Sequence, residues 1–173
     1  MSDGIDIEGI PPEELEGYLA FRDQAAAANI SPQTLLATDY LNHFNEIVMM
    51  LEMLADCPDC IEDAQSWMPK TYQEHFRDSS FKDKELAITA YNHVPSKYRR
   101  PFETVVAAIN RMIARTVLTA SELIEKAENE EILRFKMSEA TQNIQRLMDH
   151  ANAIIHGSQQ VLGQDQIDSL MIT

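Results

Sequence analysis

Leu133-Arg134-Phe135-Lys136-Met137-Ser138-Glu139-Ala140-Thr141-Gln142-Asn143-Ile144-Gln145-Arg146-Leu147-Met148-Asp149-His150-Ala151-Asn152-Ala153-Ile154 places apolar residues at 133, 137, 140, 144, 147, 151 and 154. The gaps alternate 4 and 3 throughout, which is the seam of a coiled-coil-like helix. Gly157 follows and stops it. Upstream, Phe102, Val105, Val106, Ile109, Met112, Ile113, Val117, Leu123 and Ile124 trace a second long helix, starting at about Pro101. Between the two lies the acidic stretch Glu125–Glu131, either a tight turn or a continuous polar face. The pattern predicts a long antiparallel hairpin of residues 98–126 and 130–156. Its seam suits packing within one chain or dimerisation through the hairpins, and a homodimer is expected.

The rest reads as helix too. Pro11-Pro12 before Glu13-Glu14 puts proline at a helix start and acids in its first turn, predicting a helix over 12–28. Ser31-Pro32 repeats the signal. From Leu36 through Tyr40, Leu41, Phe44, Ile47, Val48 and Leu51 to Leu54, the 3–4 spacing predicts about six turns of amphipathic helix. Asp56-Cys57-Pro58-Asp59-Cys60 breaks it. Residues 61–92 look helical but interrupted at Pro69 and at Asp78-Ser79-Ser80, and Val94-Pro95 closes that region. No stretch alternates with period two for long. The fold class is therefore all-α, a helical bundle around the hairpin. Residues 1–30 form an arm and short helix, 31–157 the bundle, and 158–173 a linker with a short partner-binding helix.

Composition sets limits. The chain has 173 residues, enough for one domain, with only 5 Gly and 7 Pro, too few for a turn-rich all-β sandwich or barrel. Its net charge of −14 repels phosphate backbones and anionic lipid surfaces, so neither nucleic acid nor membrane is an expected partner. The first residues, Met1-Ser2-Asp3-Gly4, lack a basic and apolar leader, and no apolar run approaches the ~20 residues that span a bilayer. A cytoplasmic location is the expectation.

Candidate chemistry is sparse. Cys57 and Cys60 form one CxxC, without the second pair a four-ligand zinc site needs. An acidic inter-helix loop with two reduced cysteines is the plain reading. His43, His75, His93, His150 and His156 lack the repeated Glu-x-x-His spacing of a di-iron bundle, and His43 beside the apolar stripe reads as a structural histidine. The nine Met and the single Trp67 read as core or partial core. On the seam helix, Ser138, Gln142, Gln145 and Asp149 fall on the side away from the seam, where residues acting on a partner must be and where any solvated face lies. Near the end, Gln164-Asp165-Gln166-Ile167-Asp168-Ser169-Leu170-Met171 puts Ile167, Leu170 and Met171 on one helical face, an anchor for a partner's groove or a segment that folds back on its own bundle.

The last two features resemble the CheZ family of chemotaxis phosphatases. Gln164-Asp165-Gln166-Ile167-Asp168 is similar to the terminal peptide that grips the phosphorylated CheY response regulator. The run from Ser138 to Asp149 resembles the family's catalytic helix, with Gln142 on the catalytic Gln and Ser138 where the family has an Asp. The resemblance implies hydrolysis of an acyl phosphate on a partner's Asp. Gln142 would hold water in line, and Glu139, about 100° further round the helix, would stand in imperfectly for the missing acid. It implies no cofactor in this chain, with magnesium (Mg2+) held by the receiver. Two other readings stay open: a non-catalytic adaptor gripping a receiver through the same tail, and a metal- or redox-active bundle using Cys57, Cys60 and some histidines.

Overall fold

A computed structural model describes residues 7–127, 129–158, 166–167 and 169. Among these residues every regular element is helical: α1 Pro12–Ala26, α2 Asn42–Met53, α3 Ile61–Ser66, α4 Tyr72–Asp78, α5 Lys84–Tyr91, α6 Ser96–Glu125 and α7 Glu130–Ile155, with 3-10 turns at Thr38–Leu41 and Pro58–Cys60. The described residues divide into two compact units of interleaved segments. One takes 7–40, 70–104 and 151–158. The other takes 41–69, 105–127, 129–150, 166–167 and 169.

The first unit is built on aromatic rings. Tyr72 stacks on Tyr91 at 4.6 Å and lies 4.7 Å from Phe76, 5.3 Å from Tyr40 and 6.1 Å from Phe102. Such pairs add to the hydrophobic gain of burial. Each buried hydroxyl has a partner, as burial demands. The Tyr40 hydroxyl donates to the Lys70 carbonyl at 2.7 Å, Tyr91 donates to the Glu103 carboxylate at 2.8 Å, and Tyr72 accepts from the Ala37 N–H at 2.8 Å. Burial pushes all three hydroxyls well above the ordinary tyrosine value, so they stay neutral. Gly17 lets His93 come close: an added Cβ would run into the imidazole Nδ1. The ring there stacks on Phe21 at 4.8 Å.

Ser31-Pro32 does not open a helix. The chain turns instead, with Leu35 at φ 65° and Leu36 returning its carbonyl to the Ser31 N–H at 2.9 Å. Long-range bonds hold this shape. The Thr34 hydroxyl donates to the Ile155 carbonyl, and the Tyr18 hydroxyl bonds the Pro32 and Gln33 carbonyls at 3.1 and 3.0 Å. The expected six-turn helix is therefore shorter, α2 alone. At Ser96 the reverse holds: helix α6 begins before Pro101, not at it. Glu14 accepts from both the Ser96 N–H and its hydroxyl at 3.1 Å, occupying donors that the first turn leaves open. Pro101 then removes one later ladder bond.

In the second unit, Phe44, Ile47, Leu51 and Leu54 are fully buried, as are Ile109, Ile144 and Leu147. His43 is 5% exposed, its Nε2 bonded to the Met68 carbonyl at 3.0 Å and its ring stacked on Trp67 at 4.6 Å. It is a structural histidine. Not every methionine is core: Met49, Met53 and Met68 are more than half exposed. The two cysteines are not reduced, because Cys57 and Cys60 are joined in a disulfide with Cα atoms 5.5 Å apart. The acidic stretch is a break. Helix α6 ends at Glu125, Ala127 has φ 51°, and the Asn129 side chain accepts from the Glu131 N–H at 2.7 Å to start α7.

Helix α7 ends as its glycine dictates. Gly157 has φ 101°, its N–H donates to the Ile154 carbonyl and the Ser158 N–H reaches back to Ala153, the paired bonds of a Schellman cap. A Cβ on Gly157 would also lie 2.8 Å from Gln33 Cγ.

Candidate functional site

Helix α7 presents its polar stripe to solvent. Ser138, Gln142, Gln145 and Asp149 are all exposed, and Glu139 is half-buried. The opposite side is closed: Leu133, Met137, Ile144, Leu147, Ala151 and Ile154 are buried. The buried face is wider than a two-stranded seam, since Thr141, Asn143, Met148 and Ile155 are buried while Ala140 is only partly so. A broad face of this kind is that of a helix inside a globular core. The seam is thus consumed within the protomer.

Along the stripe the side chains pair one turn apart. The Gln142 amide donates to the Ser138 hydroxyl at 3.4 Å, and Gln145 donates to the Asp149 carboxylate at 3.2 Å. Arg146 donates to the Asn143 carbonyl oxygen at 3.2 Å. The Ser138 bond is long and weak, and it leaves the Gln142 carbonyl oxygen available to a bound water. On this open helix face no group among the described residues excludes solvent from Gln142. Any chemistry there needs a partner surface to close over it.

The two halves of the predicted site fare differently in coverage. In the tail, Gln166 and Ser169 are exposed and helical, and Ile167 is helical and 1% exposed. Gln164, Asp165, Asp168, Leu170 and Met171 lie outside the described residues. The Ile167 side chain is therefore already buried in its own chain, in the second unit.

A cavity of about 380 Å³ lies about 18 Å along α7 from Gln142, at the helix start. Ala55, Asp56, Pro58, Leu123, Ile124 and Leu133 line most of it. At its rim Arg134 donates to Asp56 at 2.6 Å and to Glu130 at 2.8 Å. The hydrogen bond from Arg134 holds the Asp56 carboxyl below the usual carboxylate range. The sequence marked the break at 56–60 and left 125–131 open between a turn and a continuous helix, and nothing local says that the two meet. Among the described residues no group of three or more His, Cys, Asp or Glu is placed to hold a metal ion. No helix of the described residues is long and apolar enough to cross a membrane.

No protein-family model matches the chain, and no curated protein or solved structure is similar to it.

His150, next to Asp149 on α7, has a buried Nε2 without a hydrogen-bond partner among the described residues. Desolvation lowers its pKa from 6.5. The folded state resists protonation there, so His150 costs nothing above pH 6.5 and destabilises as pH falls from there through the lowered value. Urea midpoints should drop between pH 7.5 and 5.5, and His150→Gln should flatten that part of the profile. An unchanged slope in the variant would assign the acid sensitivity elsewhere.

Proposed function

We propose that this protein binds a phosphorylated CheY-type response regulator and promotes hydrolysis of its aspartyl phosphate. The observation that carries this reading is the α7 stripe: Gln142 stands exposed one turn after Ser138, with an amide that both donates and accepts. A phosphoaspartate is a mixed anhydride. It needs water held in line rather than a strong nucleophile, and a positioned amide supplies that. Magnesium belongs to the receiver in this scheme. In this scheme the long helices α6 and α7, separated by residues 126–129, pair as an antiparallel hairpin that presents the stripe. Two such chains pair through surface other than the buried α7 seam, where Leu118, Ile132 and Phe135 stand exposed.

Ser138 favours a second reading. Without the family's acid, nothing at this position pairs with a receiver Lys, and Glu139 is turned about 100° away. A non-catalytic adaptor that grips a receiver through residues 164–171 keeps the tail's role and drops the chemistry.

Both readings use the tail, and Ile167 sets a cost on it. Leaving its present site forfeits about 1.5–3 kcal/mol of burial, which docking on a receiver must return. Truncation after Gln160 is expected to weaken receiver binding at least about tenfold, a change of roughly 1.4 kcal/mol, while helicity persists. Equal affinity of full-length and truncated protein for every receiver tested removes the tail as an anchor. Timing phosphate loss from phosphorylated receivers separates enzyme from adaptor: acceleration supports the first, tight binding without acceleration the second.

A further inference from the structure

The Cys57–Cys60 disulfide occupies the turn between α2 and α3, in the second unit. Both cysteines are half-exposed, and Asp56, Pro58 and Asp59 around them are exposed. Pro58 and Asp56 also line the cavity walled by Leu123, Ile124 and Leu133. The bridge is therefore partly open to solvent, and its neighbours Asp56 and Pro58 border an apolar recess. The bridge spans a sequence separation of only 3, so it restrains little of the unfolded chain. Breaking it should leave the helices standing.

We propose that this bridge is a thiol–disulfide exchange site, and that its co-reactant is an uncharged or cationic thiol. A thiolate attacks one cysteine sulfur. A new S–S bond forms as the Cys57–Cys60 bond breaks, and the displaced cysteine leaves as a thiolate and takes a proton from water. A second thiolate then attacks the incoming group's sulfur in the mixed disulfide. The remaining cysteine leaves as a thiolate, is protonated, and an external disulfide is released. Two external thiols are oxidised by two electrons and the protein pair is reduced by two.

Charge selects the thiol. Asp56 and Asp59 adjoin the two cysteines, Glu62 and Asp63 occupy the first turn of α3, and Glu130 lines the cavity. The nearby cation, Arg134, is already engaged by Asp56 and Glu130. The glutathione thiolate, with net charge about −2, approaches against this field, whereas the cysteamine thiolate is a net-neutral zwitterion and is not repelled by it.

The test uses the oxidised full-length protein in dilute buffer, with cysteamine, 2-mercaptoethanol, glutathione or dithiothreitol, followed by N-ethylmaleimide and intact mass. Dithiothreitol should expose two alkylation sites while the far-ultraviolet circular dichroism stays unchanged. Per thiolate, cysteamine should react at least about threefold faster than glutathione, and the ratio should fall toward one in high salt as the field is screened. Asp59→Asn should speed glutathione, which attacks as a thiolate of net charge about −2, about twofold, speed 2-mercaptoethanol less, and leave cysteamine, whose thiolate is a net-neutral zwitterion, nearly unchanged. Alkylation only after adding denaturant overturns the proposal by making the bridge a closed structural link. Glutathione as fast as cysteamine in dilute buffer overturns the charge selection. Two free thiols in the purified protein that cystamine cannot oxidise overturn both.

Discussion

A Gln142→Ala protein is expected to leave a phosphorylated receiver decaying near its spontaneous rate. On the proposed reading the amide holds the attacking water in line with the phosphorus. Losing that orientation costs a large part of any acceleration, of order 10²-fold or more. Binding should survive, because the tail supplies it separately and Gln142 is exposed, bonded to Ser138 at 3.4 Å. Stability should survive too, since exposed substitutions away from caps and cores usually stay within about 0.5 kcal/mol. Ser138→Asp is the complementary change. It restores a negative charge one turn before Gln142 and should raise activity by pairing with a receiver Lys. Phosphate-release assays on the wild type and both variants decide the matter. Acceleration that persists in Gln142→Ala places the chemistry elsewhere on the chain.

Phe76→Ala should be the most damaging single truncation in the first unit. Phe76 is fully buried in α4, with its ring 4.7 Å from Tyr72, 5.0 Å from His75 and 5.2 Å from Phe81. Emptying such a site typically costs 3–5 kcal/mol, about 3–5 of the roughly 5–15 that hold a domain folded. Met49 is the control: it is 62% exposed on α2, and its truncation should move the urea midpoint little. A Phe76→Ala loss under about 1 kcal/mol would show that the aromatic cluster repacks around the hole.

The outward stripe was legible because it depends on helical periodicity alone. Once residues 133–154 are helical and the 4–3 series is buried, Ser138, Gln142, Gln145 and Asp149 must face outward, and they do. What that stripe acts on is a different matter. On the proposed reading the Gln142 chemistry is completed by a surface outside the chain, and no periodicity encodes such a surface.

Residues 12, 129–131 and 157 determined their own structure: a proline at a helix start, an asparagine cap before acids, a glycine at positive φ. These are interactions between neighbours a few residues apart, which the sequence carries in full. Only the tertiary structure decided the rest. Ser31-Pro32 has a helix start's chemistry, yet Thr34 bonds Ile155, 121 residues away, and the chain turns instead. Thr141 and Met148 are buried and Ala140 is half-exposed because packing, not the heptad, sets the width of the buried face. Ile167 reads equally as an anchor for a partner's groove or as part of a segment folded back on its own bundle, and it is seated in its own chain. The cavity beside Cys57 and Cys60 joins breaks that lie more than sixty residues apart. Each outcome depends on which distant surfaces meet, and burial and hydrogen bonding between them override local preference.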